Sequence, residues 1–403
     1  MPRFGGTWVL VAKDLKMAKK GYMVSVAGML AAFGLALGLG CVDPPDDGSG
    51  GGGGGTSLYV FDSSSGAANR VLIYSDIAAL FNNPETAPSK RLRSSRLEEV
   101  KDLAWGGMCF DANNNRLYMV SETGGVVRID RARSQQNNVE IPALEIVSFR
   151  LGESDSQRLP NGKFGQAALD PRYGDLYVAE YSASESRVWI VSNPGSLSNG
   201  SSVAWSAESM IDLRLYGDRG GGTGLAVGTG GAVYVFVNEG ASFTLPTTGV
   251  SYSGPRLRKG NSSGFPLLPS SMIIGESGND KTKLGRYGSL AVDSSGNVFF
   301  AKHLVDNIYS PGPSLLMFGS GQFSPGMNVE PNVAFSSIPN LRVLSHAFTK
   351  DWLVGATCNN AGTEGSGTLW IWRVPIMGPS AASKELNLGS SMYIRGLALD
   401  GSN

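Results

Sequence analysis

Short apolar segments alternate with polar turns along most of the chain, and one arrangement recurs. A run rich in Leu, Ala and Val reaches a turn of Asp, Asn, Ser and Gly, and a second run rich in Val, Tyr and Phe follows. This arrangement predicts a β-hairpin. The runs are 107–111 with 115–120, 167–170 with 175–180, 224–228 with 232–236, 289–293 with 297–301, 346–349 with 352–355, and 396–403 without a local partner.

The repeat has a regular period. Its turn falls at residues 111, 170, 228, 293, 349 and 400, so successive turns are separated by 59, 58, 65, 56 and 51 residues. Several repeats add a third apolar run after a polar loop, at 126–129, 187–190, 315–318 and 369–372. Three- or four-stranded meanders with this period are typical of propeller blades. The sequence therefore predicts an all-β fold, a six-bladed β-propeller.

The two ends of this region complement one another. Residues 57–62 and 69–74 have the pattern of a second and a third strand without a first, whereas 396–403 supplies a first strand without a second. Because an open ring would leave sheet edges unpaired, we expect the N-terminal strands to pair with the C-terminal strand. Residues 56–403 would then form one closed propeller.

The first forty residues have the pattern of a bacterial lipoprotein signal. Lys19 and Lys20 precede an uncharged run over 23–39, and Cys41 follows directly after a glycine. The lysines would stay in the cytoplasm, the apolar run would enter the bilayer, and the thiol of Cys41 would accept the lipid. Gly38 departs from the pattern, because such signals usually carry Leu three residues before the cysteine.

These segments predict the organisation of the whole chain. Residues 1–40 are the signal, 41–55 are a flexible tether rich in Asp, Pro and Gly, and 56–403 are the propeller. We expect lipid on Cys41 to hold the protein on a bacterial cell envelope, at the outer membrane or on the periplasmic face. An ordinary cleaved signal and a retained membrane helix over 23–39 are the alternatives.

The net charge limits the kinds of partner expected for the predicted propeller. The chain has 34 basic and 34 acidic side chains, and residues 1–40 hold five basic and one acidic, which leaves 29 against 33 and a net charge of −4. A mildly acidic body without basic clusters argues against nucleic acid as a partner. We expect contact with the membrane through the lipid, and a small-molecule, glycan or protein ligand.

Residues that lead into the innermost strands should line the mouth of the central channel. Arginine, aromatic and amide side chains there could hold an anionic or glycan ligand through bidentate hydrogen bonds and stacking. The alternative is that the arginines pair with local acids while the aromatic rings fill the channel. The predicted ligand-binding residues are Trp105, Gln166, Arg286, Tyr287, His346 and Arg395.

The repeats resemble those of NHL-type six-bladed propellers, whose neighbours are the gluconolactonase-like and TolB-like propellers. The resemblance lies in Gly-Leu-Ala-Leu-Asp at 396–400, Asn-Val-Phe-Phe-Ala at 297–301 and Asn-Arg-Val-Leu-Ile at 69–73. It covers 57–403, and the chain departs from it in a longer period and in extra loops, notably 241–283. These propellers include binding platforms, lactonases, lyases and sugar dehydrogenases, so the resemblance implies a fold rather than an activity.

Gluconolactonase-like members of this group hold a divalent ion in the channel with acidic and amide side chains from different blades. The resemblance therefore implies a calcium site, for which Asp62 and Glu180 end second strands and Asn238 lies one residue beyond. No motif assigns these residues, and no cofactor is predicted firmly. We favour a binding or interaction platform; a lactonase-like hydrolase or lyase with a divalent metal competes with it, and a purely structural envelope protein is a third interpretation.

Three further patterns are interpreted as structural. His303 and His346 are expected to be unrelated rather than a metal pair. The string at 260–264 matches that of a nucleophile elbow, but prolines follow it where a helix is needed, so we expect a loop. The acidic and amide residues over 111–122 have the offsets of a calcium loop without its glycine, and we expect a hairpin turn.

Overall fold

The structure is a computed structural model of the chain. It describes residues 55–64, 66, 70–151, 162–181, 186–203, 210–216, 218–219, 224–240, 243–244, 249, 251–264, 271–276, 280–285, 288–302, 313–335, 338, 341–347, 352–357, 367–378, 381, 383–389 and 391–400. The predicted signal, Cys41 and nearly all of the predicted tether lie outside these residues.

Six small sheets, the blades, form a ring, and their strands are numbered in chain order. Blade 1 begins with β1 (Ser57–Asp62), β2 (Val71–Tyr74) and β3 (Lys90–Leu92). Blade 2 contains β4 (Leu103–Asp111), β5 (Arg116–Ser121), β6 (Gly125–Asp130) and β7 (Ile146–Leu151). Blade 3 contains β8 (Lys163–Leu169), β9 (Leu176–Tyr181), β10 (Ser186–Val191) and β12 (Met210–Asp212), and β11 (Ser201–Val203) returns to pair in parallel with β7.

The second half of the ring repeats this arrangement. Blade 4 contains β14 (Leu225–Val227), β15 (Val233–Val237), β17 (Phe243–Thr244), β18 (Ser251–Gly260) and β19 (Met272–Glu276), beside a separate pair of β13 (Asp218–Arg219) and β16 (Glu239–Gly240). Blade 5 contains β20 (Gly288–Val292), β21 (Val298–Lys302), β22 (Leu315–Phe318) and β23 (Val333–Phe335). Blade 6 contains β24 (Leu341–Ala347), β25 (Trp352–Thr357), β26 (Thr368–Arg373) and β27 (Ser383–Asn387).

The last strand of the described chain closes the ring. β28 (Ile394–Asp400) pairs antiparallel with β1, so that Leu399 lies opposite Leu58 and Leu397 lies opposite Val60. Blade 1 therefore has the order β28-β1-β2-β3, with its first strand drawn from the far end of the sequence. The predicted all-β, six-bladed propeller and its closure by the two ends are confirmed.

The core is divided into six clusters, and each lies between two neighbouring blades. Successive side chains of a strand point to opposite faces of its sheet. In β1, Leu58 and Val60 pack toward blade 6, and Tyr59 and Phe61 pack toward blade 2. The second strands of the blades, such as β5, β15 and β21, are accordingly buried and mostly apolar, because each blade is covered on both faces.

Helices are few and short in the described part of the chain. The α-helix α1 (Ile77–Asn82) begins at the cap Asp76, whose carboxylate accepts the backbone N–H of Ala78 at 2.8 Å. Short 3₁₀ helices cover Ser95–Val100, Ala132–Ser134, Ala143–Glu145, Pro194–Ser196, Leu213–Tyr216 and Ser320–Phe323. Within the described residues, no helix has the length and apolar character of a membrane span.

Blade 4 corrects one expectation from the sequence. Residues 241–283 were expected to be extra loops, whereas their described part contains β17, β18 and β19, the outer strands of the blade. The apolar pattern fails in β18 because Arg256 and Arg258 are buried there around the carboxylate of Asp218. Burial raises the pKa of Asp218 and lowers the pKa of Arg256, and the ion pairs oppose both shifts. A strand with buried, paired charges has no recognisable apolar alternation.

Candidate functional site

The first strand of each blade borders a central channel. Around the axis, the strands β28, β4, β8, β14, β20 and β24 contact one another in this order, and β24 contacts β28. β4, β8, β14 and β20 each end at a turn that leads to the second strand of the blade, whereas β28 pairs with β1 from the far end of the sequence. We call the end of the channel where the inner strands begin the start face, and the end where they finish the turn face.

A tryptophan surrounded by cationic groups lies at the start face. Trp105 is in β4, and its ring meets the ring of Tyr393 edge-on with centroids 5.4 Å apart. The guanidinium carbon of Arg342 lies 3.5 Å from the centroid of Trp105, and that of Arg395 lies 4.9 Å from it. We call these four half-buried residues the Trp105 cluster. They come from blades 1, 2 and 6 and from the residue that precedes β28.

Arg395 is held in this cluster by blade 2. Its Nη1 donates to the carbonyl oxygen of Leu103 at 2.9 Å, and its Nη2 lies 3.3 Å from a carboxylate oxygen of Glu122. The other oxygen of Glu122 lies 3.3 Å from Nζ of Lys163. The sequence left such a pairing of the channel arginines with local acids as the alternative to ligand binding. Among the described residues, the buried Nε–H of Arg395 has no hydrogen-bond partner.

Gln166 lies deeper in the channel and bonds two other blades. Its Oε1 accepts the backbone N–H of Leu225 at 3.0 Å and that of Leu290 at 2.7 Å, and its Nε2 donates to the carbonyl oxygen of Leu290 at 2.6 Å. Gly106 has a φ of +73°, and a Cβ there would approach Cγ of Gln166 to 3.0 Å. Both the positive φ and this close approach favour glycine at this position. The amide of Gln166 joins blades 3, 4 and 5, and its role as a ligand residue stays a prediction.

The remaining predicted channel residues are placed as follows. His346 was expected to begin the inner strand of blade 6, but it is the penultimate residue of β24, opposite Leu353. It therefore belongs to the turn face and not to the mouth with Trp105, because the inner strand starts five residues earlier at Leu341, where the sequence shows no clear apolar alternation. Arg286, Tyr287 and His303 lie outside the described residues.

Two of the three residues predicted to bind calcium, Asp62 and Glu180, have other partners in the structure. Asp62 accepts the backbone N–H groups of Ser64 at 2.9 Å and of Tyr393 at 3.1 Å. Glu180 is buried and accepts the indole N–H of Trp189 at 2.5 Å, with Arg187 at 4.0 Å. Asn238 follows β15 and is half-buried. In the described part of the chain no group of three or more His, Cys, Asp or Glu residues could hold a metal ion. The calcium site stays a prediction.

The aspartates that end the inner strands are turn residues. Asp111 accepts the backbone N–H of Asn114 at 3.1 Å and its side-chain amide at 2.8 Å, which is the hairpin turn expected from the sequence. Asp293 makes the same kind of bonds to Asn297, at 2.8 Å for both the backbone and the side chain. Residues 261–264 likewise form a turn rather than the start of a helix.

A cavity of about 130 Å³ lies in the channel between Gln166 and the turn face. Inner-strand residues from all six blades line it, mostly Ala, Leu and Val, together with turn residues of blades 2 and 3. The predicted ligand site lies at the opposite mouth of the channel, and of its residues Gln166 alone is among those that line this cavity. The cavity is bordered by backbone groups at the free edges of the inner strands. The pattern of side chains in the sequence does not reveal these groups.

The ring of six blades and the channel define a six-bladed β-propeller. No protein-family profile matches the sequence, and no curated protein matches it. Similar solved structures include the Cps50 (Swd1) β-propeller domain of Myceliophteria thermophila, with 11% identity over 82% of this chain and 86% of that chain and a TM-score of 0.41. A protein from Lactobacillus plantarum has 11% identity over 86% and 99%, with a TM-score of 0.42. The designed protein Ika8 has 12% identity over 84% and 76%, with a TM-score of 0.37. These likenesses are low, and the strand order of the chain itself establishes the fold.

Proposed function

We propose that this chain is a lipid-anchored protein of a bacterial cell envelope, whose NHL-like propeller binds a ligand at the Trp105 cluster. Residues 1–40 act as the signal, Cys41 carries the lipid, and 41–55 tether the propeller over 56–403. The basic pair before the run over 23–39 and the cysteine directly after it support the export signal. The anchor would place the propeller at the outer membrane or on the periplasmic face.

The ligand that suits the Trp105 cluster is an anionic glycan. Two guanidinium groups lie within 5 Å of the centroid of one indole ring, and Tyr393 extends the aromatic surface. Sugar rings stack on aromatic faces, and carboxylates accept two parallel bonds from a guanidinium fork. The single observation that carries this proposal is the approach of two guanidinium groups, those of Arg342 and Arg395, to the ring of Trp105.

The ligand proposal is tested by titrating the protein with oligogalacturonate and with a neutral maltooligosaccharide while tryptophan fluorescence is recorded. We expect the acidic glycan to bind and Arg395→Gln to weaken it by at least about tenfold, since a charge-assisted bond is lost. Arg91→Gln, at an exposed arginine of β3, is the matched control and should bind like the wild type. Equal binding of both glycans, or equal affinity of both variants, would contradict the proposal.

The anchor is tested separately in a bacterial host. Cys41→Ser should abolish incorporation of labelled palmitate and move the protein from the membrane fraction to the soluble fraction, because a lipid chain supplies the membrane affinity. Cys109→Ala is the matched control, since Cys109 lies in a strand of blade 2 and should leave the anchor unchanged. A Cys41→Ser protein that stays in the membrane would instead support a retained helix over 23–39.

A further inference from the structure

The cavity at the turn face is bordered by strand edges as well as by side chains. Leu169, Val227, Val292 and Leu399 are the penultimate or last apolar residues of their inner strands, and all four line it. Gln166 forms its inner end. The first strand of a blade pairs on one side only, with the second strand, so its other edge faces the channel.

Hydrogen bonds at the turns establish which backbone groups face the channel. The N–H of Asp170 donates to Asp175 at 2.9 Å, that of Gly228 to Ala232 at 2.8 Å, and that of Asp293 to Asn297 at 3.0 Å. In an antiparallel ladder, residues alternate between bonding the partner strand and facing away from it. The preceding residues Leu169, Val227 and Val292 therefore direct both N–H and C=O away from the second strand, toward the cavity.

Gln166 shows what kind of group fits such an edge. One planar amide bonds both the N–H and the C=O of Leu290, with its oxygen at 2.7 Å and its nitrogen at 2.6 Å. Val227 and Val292 lie two residues further along the same strands and have the same orientation as Leu225 and Leu290. No side chain of the described residues bonds the channel-facing groups of these two valines.

We propose that this cavity binds a small neutral cyclic amide, a lactam, whose N–H and C=O pair with the strand edge at Val227 or Val292. A ring constrains its amide to the cis form, so that donor and acceptor lie on the same side, like those of the Gln166 carboxamide. The apolar lining suits the hydrocarbon part of the ring. Asp111 ends β4, and Asp170 and Asp293 directly follow β8 and β20. Arg172 pairs with Asp170, and the carboxylates of Asp111 and Asp293 disfavour an anion at this face.

The size of the cavity limits the ligand to one small ring. An apolar cavity of about 150 Å³ accommodates benzene in another protein, and this one measures about 130 Å³. The site is separate from the Trp105 cluster, since Gln166 lies between them, and it does not depend on the proposed glycan ligand. The volume of the cavity and the free strand edge together favour a ligand with one ring of five or six members that contains one amide.

The test is a titration of the protein with butyrolactam, followed by two-dimensional amide NMR and thermal denaturation. N-methylbutyrolactam lacks the donor, and cyclopentanone keeps only the carbonyl, so both serve as matched compounds. We expect butyrolactam to shift the amide signals of Val227 and Val292 and to raise the melting temperature. Each matched compound should bind roughly tenfold more weakly, because one strand-edge group is left unpaired.

Two serine variants locate the site. Ser345→Phe places a ring at a half-buried position of β24 that lines the cavity, and it should weaken butyrolactam by at least about tenfold. Ser192→Phe, at an exposed position, should bind like the wild type. If Ser345→Phe fails to fold, the map of shifts in the wild type decides alone. Equal binding of the three compounds, shifts at Trp105 and Arg395 instead, or a cavity that takes up only water would overturn the proposal.

Discussion

At the scale of single residues, the aspartates at the ends of the inner strands share a position but differ in role. Within the part of the chain that the structure describes, Asp293 bonds only its own turn, through the backbone of Ser295 and through Asn297. Asp400 is buried and holds the two ends of the propeller together. Its Oδ1 accepts the backbone N–H of Ser57 at 2.5 Å, and its Oδ2 lies 2.8 Å from Nε of Arg133 in blade 2.

We therefore expect Asp400→Ala to lower the free energy of unfolding by about 3 kcal/mol, because it leaves a buried N–H and a guanidinium without their carboxylate. Asp293→Ala removes bonds that stay within one turn and should cost about 1 kcal/mol. Urea denaturation of the two variants measures the difference. Equal losses would contradict the role of Asp400 in holding the two ends of the propeller together.

At the scale of elements, the free edge of an inner strand needs partners other than a neighbouring strand. β8 supplies one such partner through Gln166, which bonds β14 and β20 across the channel. A bulge between Phe164 and Ala167 interrupts the pairing of β8 with β9 where Gln166 lies. Bulges redirect a side chain out of the regular alternation, and this one directs Gln166 to the axis rather than into a core between blades.

Gln166→Leu should lower the free energy of unfolding by about 3 kcal/mol, because three backbone groups of blades 4 and 5 lose their partner. Native-state hydrogen exchange should accelerate at the amides of Leu225 and Leu290 before it accelerates in blade 1. Gln136→Leu, at an exposed glutamine, is the matched control. Unchanged exchange at Leu225 and Leu290 would contradict the bridging role of Gln166.

At the scale of the whole molecule, six clusters between blades replace a single core, and tyrosines take part in several of them. Tyr59, Tyr118 and Tyr234 are almost fully buried, and burial raises the pKa of each phenol. For Tyr74, burial raises the pKa to about 12, and the charge of Arg91 opposes the shift. Each blade must separate from its neighbour before such a phenol can ionise in water.

The raised values predict alkaline unfolding. A phenol whose pKa is higher in the folded state keeps its full contribution below the unfolded pKa of about 10 and loses it as pH rises toward the folded value. For each such tyrosine, we expect the free energy of unfolding to fall by about 1.4 kcal/mol per pH unit above pH 10. Urea denaturation from pH 8 to 12 with phenolate absorbance tests this. Tyr74→Phe should reduce the slope, whereas Tyr173→Phe, at an exposed ring, should not.

The hairpins, the period and the closure were predictable because each depends on local alternation and on turn residues. The outer strands of blade 4 were not, since Arg256 and Arg258 interrupt the apolar pattern of β18 and only their distant partner Asp218 explains their burial. Trp105 and Arg395 were both predicted at the channel mouth, and the structure brings the guanidinium of Arg395 to 4.9 Å from the centroid of the Trp105 ring, while their role in binding a ligand stays a prediction. Arg342 and Tyr393 complete that cluster from positions that no motif marks.

The amino-acid sequence by itself determined the number of blades and the partner of the last strand. The first and last repeats are each incomplete, and their unpaired strand edges are satisfied when the two pair with each other. Tertiary structure decided the chemistry of the channel. Which backbone edges face the axis, where Gln166 reaches and which arginines approach Trp105 depend on bulges and on residues far apart in sequence. These contacts arise only when six separately patterned sheets meet around one axis.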